Sequence, residues 1–304
     1  MASMETICAR LCLLTRAGLG ADGPMPLSRT TVRRMVQLGA IEGLALRSVP
    51  DVREEDYTRA RALLSRSARV YAKLERVCEQ GYDVLLPEDD LWPERLHAMD
   101  VTEPQFLFIR GDAALLKRRA VSVAGSREIT QETAELARRC GEQIAMDGLT
   151  LVCGGARGVD TAAQHGALEA GGTLILVPAI AARELMKQSA LCRALEAGRL
   201  LLVCDTWPDE LFSAQKALMR NHTIYALGDA ALVIASRHGR GGSWRGAADC
   251  LRGRYTPVFA VQGEDEDMAG NRALIEMGAK PFDCGQPLDK QLFGGREDAH
   301  ADRA

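Results

Sequence analysis

From residue 120 to residue 261, short apolar runs alternate with helical patterns, and this alternation constrains the fold more than any other feature of the sequence. The runs are AVSVA (120–124), LTLVC (149–153), TLILV (173–177), RLLLV (199–203), AALVIA (230–235) and TPVFAV (256–261). A strand that is apolar at every position has no face for water. It belongs inside a parallel sheet covered on both sides by crossover helices. Helical patterns fill the gaps, and right-handed crossovers turn such a succession into a doubly wound, mostly parallel, Rossmann-like α/β sheet. This core is expected over residues 91–285.

Residues 1–90 have a different texture, helical and without strong strands. SRTTVRRMVQLG (28–39) opens on cap-type residues, places Val32, Met35 and Val36 on one face, and stops at Gly39. A second long amphipathic stretch covers residues 56–86, with Leu63, Leu64, Val70, Leu74 and Val77 as its buried stripe and Gly81 as its terminator. A small helical domain packed on its neighbour explains this better than a helix-turn-helix DNA reader, because no recognition helix stands out. At the other end, residues 286–304, closing on GGREDAHADRA, read as a flexible tail. A length of 304 residues fits this division into one large domain and a smaller companion.

The net charge of −3 excludes a uniformly basic nucleic-acid binder but leaves room for a local basic cleft. Nine cysteines without a CxxC pair disfavour zinc and a secreted disulfide framework, so buried free thiols in a reducing cytoplasm are expected. The apolar N-terminal stretch is interrupted by Arg10 and Arg16 and lacks a signal-peptide core. No run approaches the roughly 20 apolar residues of a membrane span. A cytoplasmic location without membrane contact follows as an expectation.

In sheets of this kind ligands bind where strand C-terminal ends meet helix N-termini. Four segments fall there. Gly125, Ser126 and Arg127 follow the first strand and offer a close backbone, a hydroxyl and a fork-shaped cation suited to phosphate. Gly154, Gly155, Arg157 and Gly158 form a loop whose amides are expected to face an anion at the start of the next helix, with Asp160 as that helix's cap. Arg220 and Asn221 are expected in a loop before the strand 230–235. Gly241, Gly242, Ser243 and Trp244 open a helix after it, among Arg237, Arg240 and Arg245. Trp244 suits stacking on a base as well as ordinary half-buried packing.

Other chemistries lack their motifs. GxGxxG and a ribose-holding acid are missing, as is GxxxxGK[ST], which disfavours NAD and a P-loop ATPase. His97, His165, His222, His238 and His300 have no metal-binding spacing, and no GxSxG elbow is present.

Taken together, these residues resemble the DprA/Smf family of DNA-processing proteins, as a divergent branch of the Rossmann-like nucleotide-binding group. The resemblance runs from about Gly81 to Phe282. LPEDDLWPERLHAMDVTEPQFLFIRGDAALL (86–116) is similar to the family's opening segment and VAGSRE (123–128) to its Gly-Ser-Arg motif. CGGARGVDTAAQHGAL (153–168) is similar to its glycine-rich Ala-Arg-Gly-Ile-Asp motif, and RNHTIYALGDAALVIA (220–235) to its Arg-Asn-Arg stretch. GGSWRGA (241–247) and GNRALIEMGA (270–279) take the places of its last two motifs. The resemblance implies a homodimeric protein of DNA processing, recombination and natural transformation. Such a protein needs no cofactor or metal, binds single-stranded DNA without catalysis, and passes the strand to a RecA-type recombinase. By motif, the phosphate contacts fall on Ser126, Arg127, Gly155, Arg157 and Arg220.

The sequence departs from that pattern at Gln164, where the family carries histidine, and at His222, where it carries its second arginine. Gly-Gly-Ser-Trp-Arg-Gly-Ala replaces Gly-Ser-Leu-Ile-Thr, and no room is expected after residue 285 for the winged-helix domain of many members. The alternative reading is a sensor or enzyme for a free nucleotide. Hydrolases of the wider group use Pro-Gly-Gly-x-Gly-Thr-x-x-Glu. Here Trp244 and Arg245 replace Gly-Thr, Ala248 stands at the carboxylate position, and Asp249 is one residue late, about 100° round a helix.

Overall fold

The six apolar runs are strands of one sheet in the computed structural model, which describes residues 2–17, 19, 23–179, 182–210 and 213–294. Four helices come first: α1 (Met4–Leu14), α2 (Arg29–Gln37), α3 (Glu54–Leu64) and α4 (Ser67–Glu79). A small hairpin, β1 (Ile41–Glu42) with β2 (Ala45–Leu46), separates α2 from α3. The hydroxyls of Ser3 and Ser28 cap α1 and α2 by accepting from the amides of Thr6 and Thr31. The stretch 56–86 is two helices and a strand rather than one helix. At its break, the Arg66 guanidinium donates to the carbonyls of Cys12, Thr15 and Ala17, closing the C-terminal end of α1. Leu63, Leu64, Val70, Leu74 and Val77 are all buried, as their spacing requires.

Next come β3 (Asp83–Leu85), β4 (Leu107–Gly111), β5 (Ala120–Ala124), α5 (Gln131–Met146), β6 (Thr150–Cys153), α6 (Val159–Glu169) and β7 (Thr173–Leu176). They are followed by α7 (Ala182–Leu185), α8 (Ser189–Glu196), β8 (Leu200–Cys204), α9 (Ala214–Leu227), β9 (Ala230–Val233) and α10 (Gly241–Gly253). The described chain closes with β10 (Val258–Val261), α11 (Ala269–Glu276), β11 (Lys280–Phe282) and α12 (Leu288–Phe293). Strand order is β11-β10-β9-β5-β6-β7-β8-β4-β3. The pairs from β11 to β8 are parallel, and β4 and β3 add an antiparallel edge. The expected doubly wound, mostly parallel sheet is therefore present. Every residue of β5, β6, β8, β9 and β10 is buried, which is why those segments carry no alternation.

Two findings differ from the sequence expectation. Residues 83–85, counted with the N-terminal helices, pair with β4 at the sheet edge. Residues 288–293, counted with the tail, form α12, which buries Leu288 and Leu292. Residues 83–85 run on from the apolar stripe of the helix before them, and the six residues of α12 are too few for periodicity to register. Residues 295–304 of the expected tail lie outside the described residues. The N-terminal helices share one apolar cluster with one face of the sheet, and Trp207 Nε1 donates to Thr15 Oγ1 at 3.2 Å across the junction. No described helix is long and apolar enough to cross a membrane.

The chain winds from β5 through β6 and β7 to β8 in one direction, then crosses back to β9 and continues to β11 in the other. β5 and β9 are neighbours with opposite onward connections. Between their C-terminal ends the following loops diverge and leave a crevice.

Candidate functional site

That crevice is a cleft of about 660 Å³. Its walls come from residues 125–128 after β5, the start of α6, the middle of α9, residues 236–240 after β9, and the first turn of α10. Hydrogen bonds fix these segments to one another. The Ser126 amide donates to Ala235 O at 2.8 Å, and the Val159 amide donates to Ser126 O at 3.2 Å. Ser243 Oγ donates to Gly125 O at 2.6 Å, while Tyr225 Oη donates to Ser243 O at 2.8 Å. Beneath them the fully buried Asn271 donates through Nδ2 to the carbonyls of Val233, Ile234 and Val261. Its Oδ1 accepts from Ser236, a residue of the cleft wall, at 2.8 Å. One amide side chain thus clamps the ends of β9 and β10.

Arg220 is the deepest cation of the cleft. It is 6% exposed, and its Nε has no hydrogen-bond partner. Burial pulls its pKa below the usual arginine value, while Asp160 and Asp205 oppose that pull. Both carboxyls are themselves raised by burial, against the attraction of Arg220 for Asp160 and of Arg29 and Arg220 for Asp205. Thr223 Oγ1 orients Asp205 by donating to it at 3.0 Å. Gly154 makes room for this arrangement, since a methyl group there would run into the Arg220 guanidinium.

Of the residues singled out in the sequence, Gly125, Ser126, Arg127, Arg157, Arg220, Asn221, Gly241, Gly242, Ser243 and Trp244 all line the cleft. Gly154, Gly155 and Gly158 do not. The amides of Gly154 and Ala156 donate to Asp160 Oδ2 at 3.0 and 3.3 Å. The loop's amides at 154 and 156 are therefore turned inward, contrary to the expectation that they face an anion. Asp160 is not the helix cap either. Gly158 is the cap residue, at φ +83°, and Asp160 sits in the first turn of α6 with its carboxylate folded back over the loop. A carboxylate one turn into a helix reaches loop amides that a cap would leave free.

Arg220 and Asn221 lie in α9 rather than in a loop. The run Asn-His-Thr has low helix propensity, which concealed a helix held by its Ser213 cap and by packing. Trp244 is half-buried, packs against the apolar cluster of α10 and α11, and meets His238 edge-on at 5.5 Å. Sequence reasoning missed Asp205 and Asn271. A buried Asp after β8 and an Asn inside a polar-looking helix carry no local signal, because their partners are more than ten residues away or on other strands.

The exposed cations of the rim are available. Among the described residues, Arg127, Arg157, Arg240 and Arg245 have no carboxylate within ion-pair distance. Arg237 is engaged, by Glu128 at 3.2 Å and Asp267 at 4.0 Å.

Residues 83–292 match the family model of DNA recombination-mediator protein A. The chain belongs to that family. Among solved structures, DNA processing protein A (DprA) from Streptococcus pneumoniae is similar with a TM-score of 0.73 at 22% identity, over 96% of this chain and 98% of that one. DNA processing protein A from Helicobacter pylori, whose single-stranded DNA binding mode has been described, is similar with a TM-score of 0.59 at 23% identity. That match covers 71% of this chain and 97% of the other. No curated protein matches. Within the DNA recombination-mediator protein A fold, His222 has a definite role in this chain. Its Nε2 meets Asp249 Oδ2 at 3.0 Å, and Arg252 holds the other carboxylate oxygen. Burial works to raise the Asp249 carboxyl, but the hydrogen bonds from Arg252 and His222 outweigh it and leave the group below its ordinary value.

Proposed function

We propose that the cleft binds single-stranded DNA, with backbone phosphates on Arg127, Arg157 and Arg220 and no covalent step. The observation that carries this reading is Arg220, a buried guanidinium in the cleft wall whose Nε has no hydrogen-bond partner. Leaving a buried charged donor unpaired is costly, and an anionic oxygen of a ligand supplies what the protein does not. Arg127 and Arg157 come from two other loops and add exposed cations to the same opening. Family membership and the binding described for the Helicobacter pylori protein support a nucleic-acid ligand. Trp244 adds a ring beside the cations, in the arrangement that single-strand binders use for stacking.

Binding without chemistry accords with the state of Asp249. The carboxylate closest in sequence to the position a nucleotide hydrolase needs is engaged by His222 and Arg252. Homodimerisation and transfer of the strand to a RecA-type recombinase are finer parts of the same proposal. Sedimentation of the protein and a recombinase filament-assembly assay with strand-coating protein present test them.

Fluorescence anisotropy with a labelled oligothymidylate tests the reading itself. Binding that weakens steeply with salt supports it. A rise in melting temperature with a mononucleotide, and no binding of the oligonucleotide, points instead to a free-nucleotide sensor.

A further inference from the structure

Two helices begin at the cleft, and their positive ends are furnished differently. At α6 the Asp160 carboxylate accepts from the amides of Gly154 and Ala156, so an anion of the protein itself fills that loop. At α10 nothing plays that part. Its cap residue is Arg240, whose side chain makes no capping hydrogen bond, and no acidic residue stands in its first turn. Ser243 supplies a hydroxyl there, but donates it to the carbonyl of Gly125. The leading amides of a helix have no partner within it and carry its partial positive charge.

Charge deepens the deficit. Arg240 at the cap and Arg245 in the turn that follows are both exposed, and among the described residues neither has a carboxylate within ion-pair distance. Cations at the N-terminal end of a helix are unfavourable unless an anion joins them. The first turn of α10 and both arginines line the cleft. Two more groups there lack partners. Arg220, more than nine-tenths buried in the wall of the same cleft, has an unpartnered Nε, and Trp244, in the turn itself, has a buried indole N–H with no acceptor. Donors gathered in this number, with no acid among them, call for an anionic acceptor.

We propose that the start of α10 is a seat for a phosphate monoester. Two unpaired guanidiniums and a helix end carry more positive charge than one phosphodiester neutralises. A diester inside a strand brings one negative charge and two free oxygens. A monoester brings close to two charges and three acceptor oxygens, which suits two guanidinium forks and the amides of one turn. Such a group stands at the phosphorylated end of a strand and on a free mononucleotide. The strand end is the expected source, because Arg127 and Arg157, from other loops of the same opening, then take its inner phosphates. That choice of source rests on the reading of the cleft as a single-stranded DNA site, whereas the monoester seat does not.

Anisotropy of the full-length protein with an internally labelled oligothymidylate tests the seat, using hydroxyl-ended, 5′-phosphorylated and 3′-phosphorylated forms of one length. One phosphorylated form is expected to bind about tenfold tighter than the hydroxyl-ended one, the worth of an added charge-assisted contact. The double variant Arg240→Ala/Arg245→Ala is expected to abolish that difference, whereas Arg127→Ala weakens both forms and keeps it. Equal binding of all the forms overturns the proposal, as does a difference that survives in the double variant. Should no form bind, the reading of the cleft as a strand site fails, and thermal scans with thymidine monophosphate against thymidine decide the seat separately. A rise in melting temperature with the monophosphate alone, lost in the double variant, assigns the seat to a mononucleotide. No rise, or one that the double variant keeps, overturns it.

Discussion

Arg127, Arg157 and Arg220 line one cleft but are not equivalent residues. The first two are exposed and, among the described residues, free of carboxylate partners, so removing either disturbs little of the protein itself. Arg127→Ala and Arg157→Ala are each expected to weaken oligothymidylate binding by about 1–3 kcal/mol, the range of a charge-assisted hydrogen bond, with no change in melting temperature. Arg220→Ala is expected to lower the melting temperature as well, because it strips the buried Asp160 and Asp205 of a shared counter-charge. Thermal scans of the three variants separate these outcomes. Asp160 gives a pH dependence with a definite sign. Its carboxyl is raised, so as pH falls from neutral it gains a proton in a window above the ordinary carboxylate value of 3.8. The cleft then loses negative charge and affinity for the oligonucleotide rises. Asp160→Asn is expected to flatten the rise, measured by anisotropy between neutral and mildly acidic pH. Thymine does not titrate there, so the change belongs to the protein. The arginines themselves were legible in the sequence, since a cation beside glycines at a strand end suggests an anion. The inward turn of the Gly154 and Ala156 amides was not, because it depends on where Asp160 points.

At the scale of elements, the cleft exists because β5 and β9 are neighbours whose onward connections run opposite ways. Asn271 on α11 holds the ends of β9 and β10 in register at its floor. Asn271→Ala leaves three buried carbonyls and the Ser236 hydroxyl short of a partner. It is expected to cost about 1–3 kcal/mol or more in urea unfolding, the penalty for a buried unsatisfied group. Gly154→Ala is expected to cost oligonucleotide affinity by displacing Arg220, although residue 154 does not itself line the cleft. The six strands β5 to β10 were read from the sequence to within two residues, because burial on both faces leaves an unbroken apolar run. Helix α9 was not. Its polar Arg-Asn-His-Thr segment hides a helix whose buried apolar residues, among those described, are Ile224, Tyr225, Ala226 and Leu227 at its C-terminal end.

For the whole molecule, the net charge of −3 says nothing of the cleft, where four loops and helix ends bring arginines to one side of the sheet. The N-terminal helices also touch that charge network, since Arg29 at the start of α2 faces Asp205, which in turn faces Arg220. No sequence pattern foretold this link between residues so far apart. Association with phosphates releases counterions, so the number of contacts is readable from salt dependence alone. The most direct measurement is anisotropy of a labelled oligothymidylate against salt, for the natural sequence, Arg127→Ala and Arg157→Ala. Three phosphate contacts predict a slope of log affinity on log salt of about −2, and each substitution should make it shallower by about 0.7. A salt-independent affinity, or variant slopes equal to the natural one, would contradict the account.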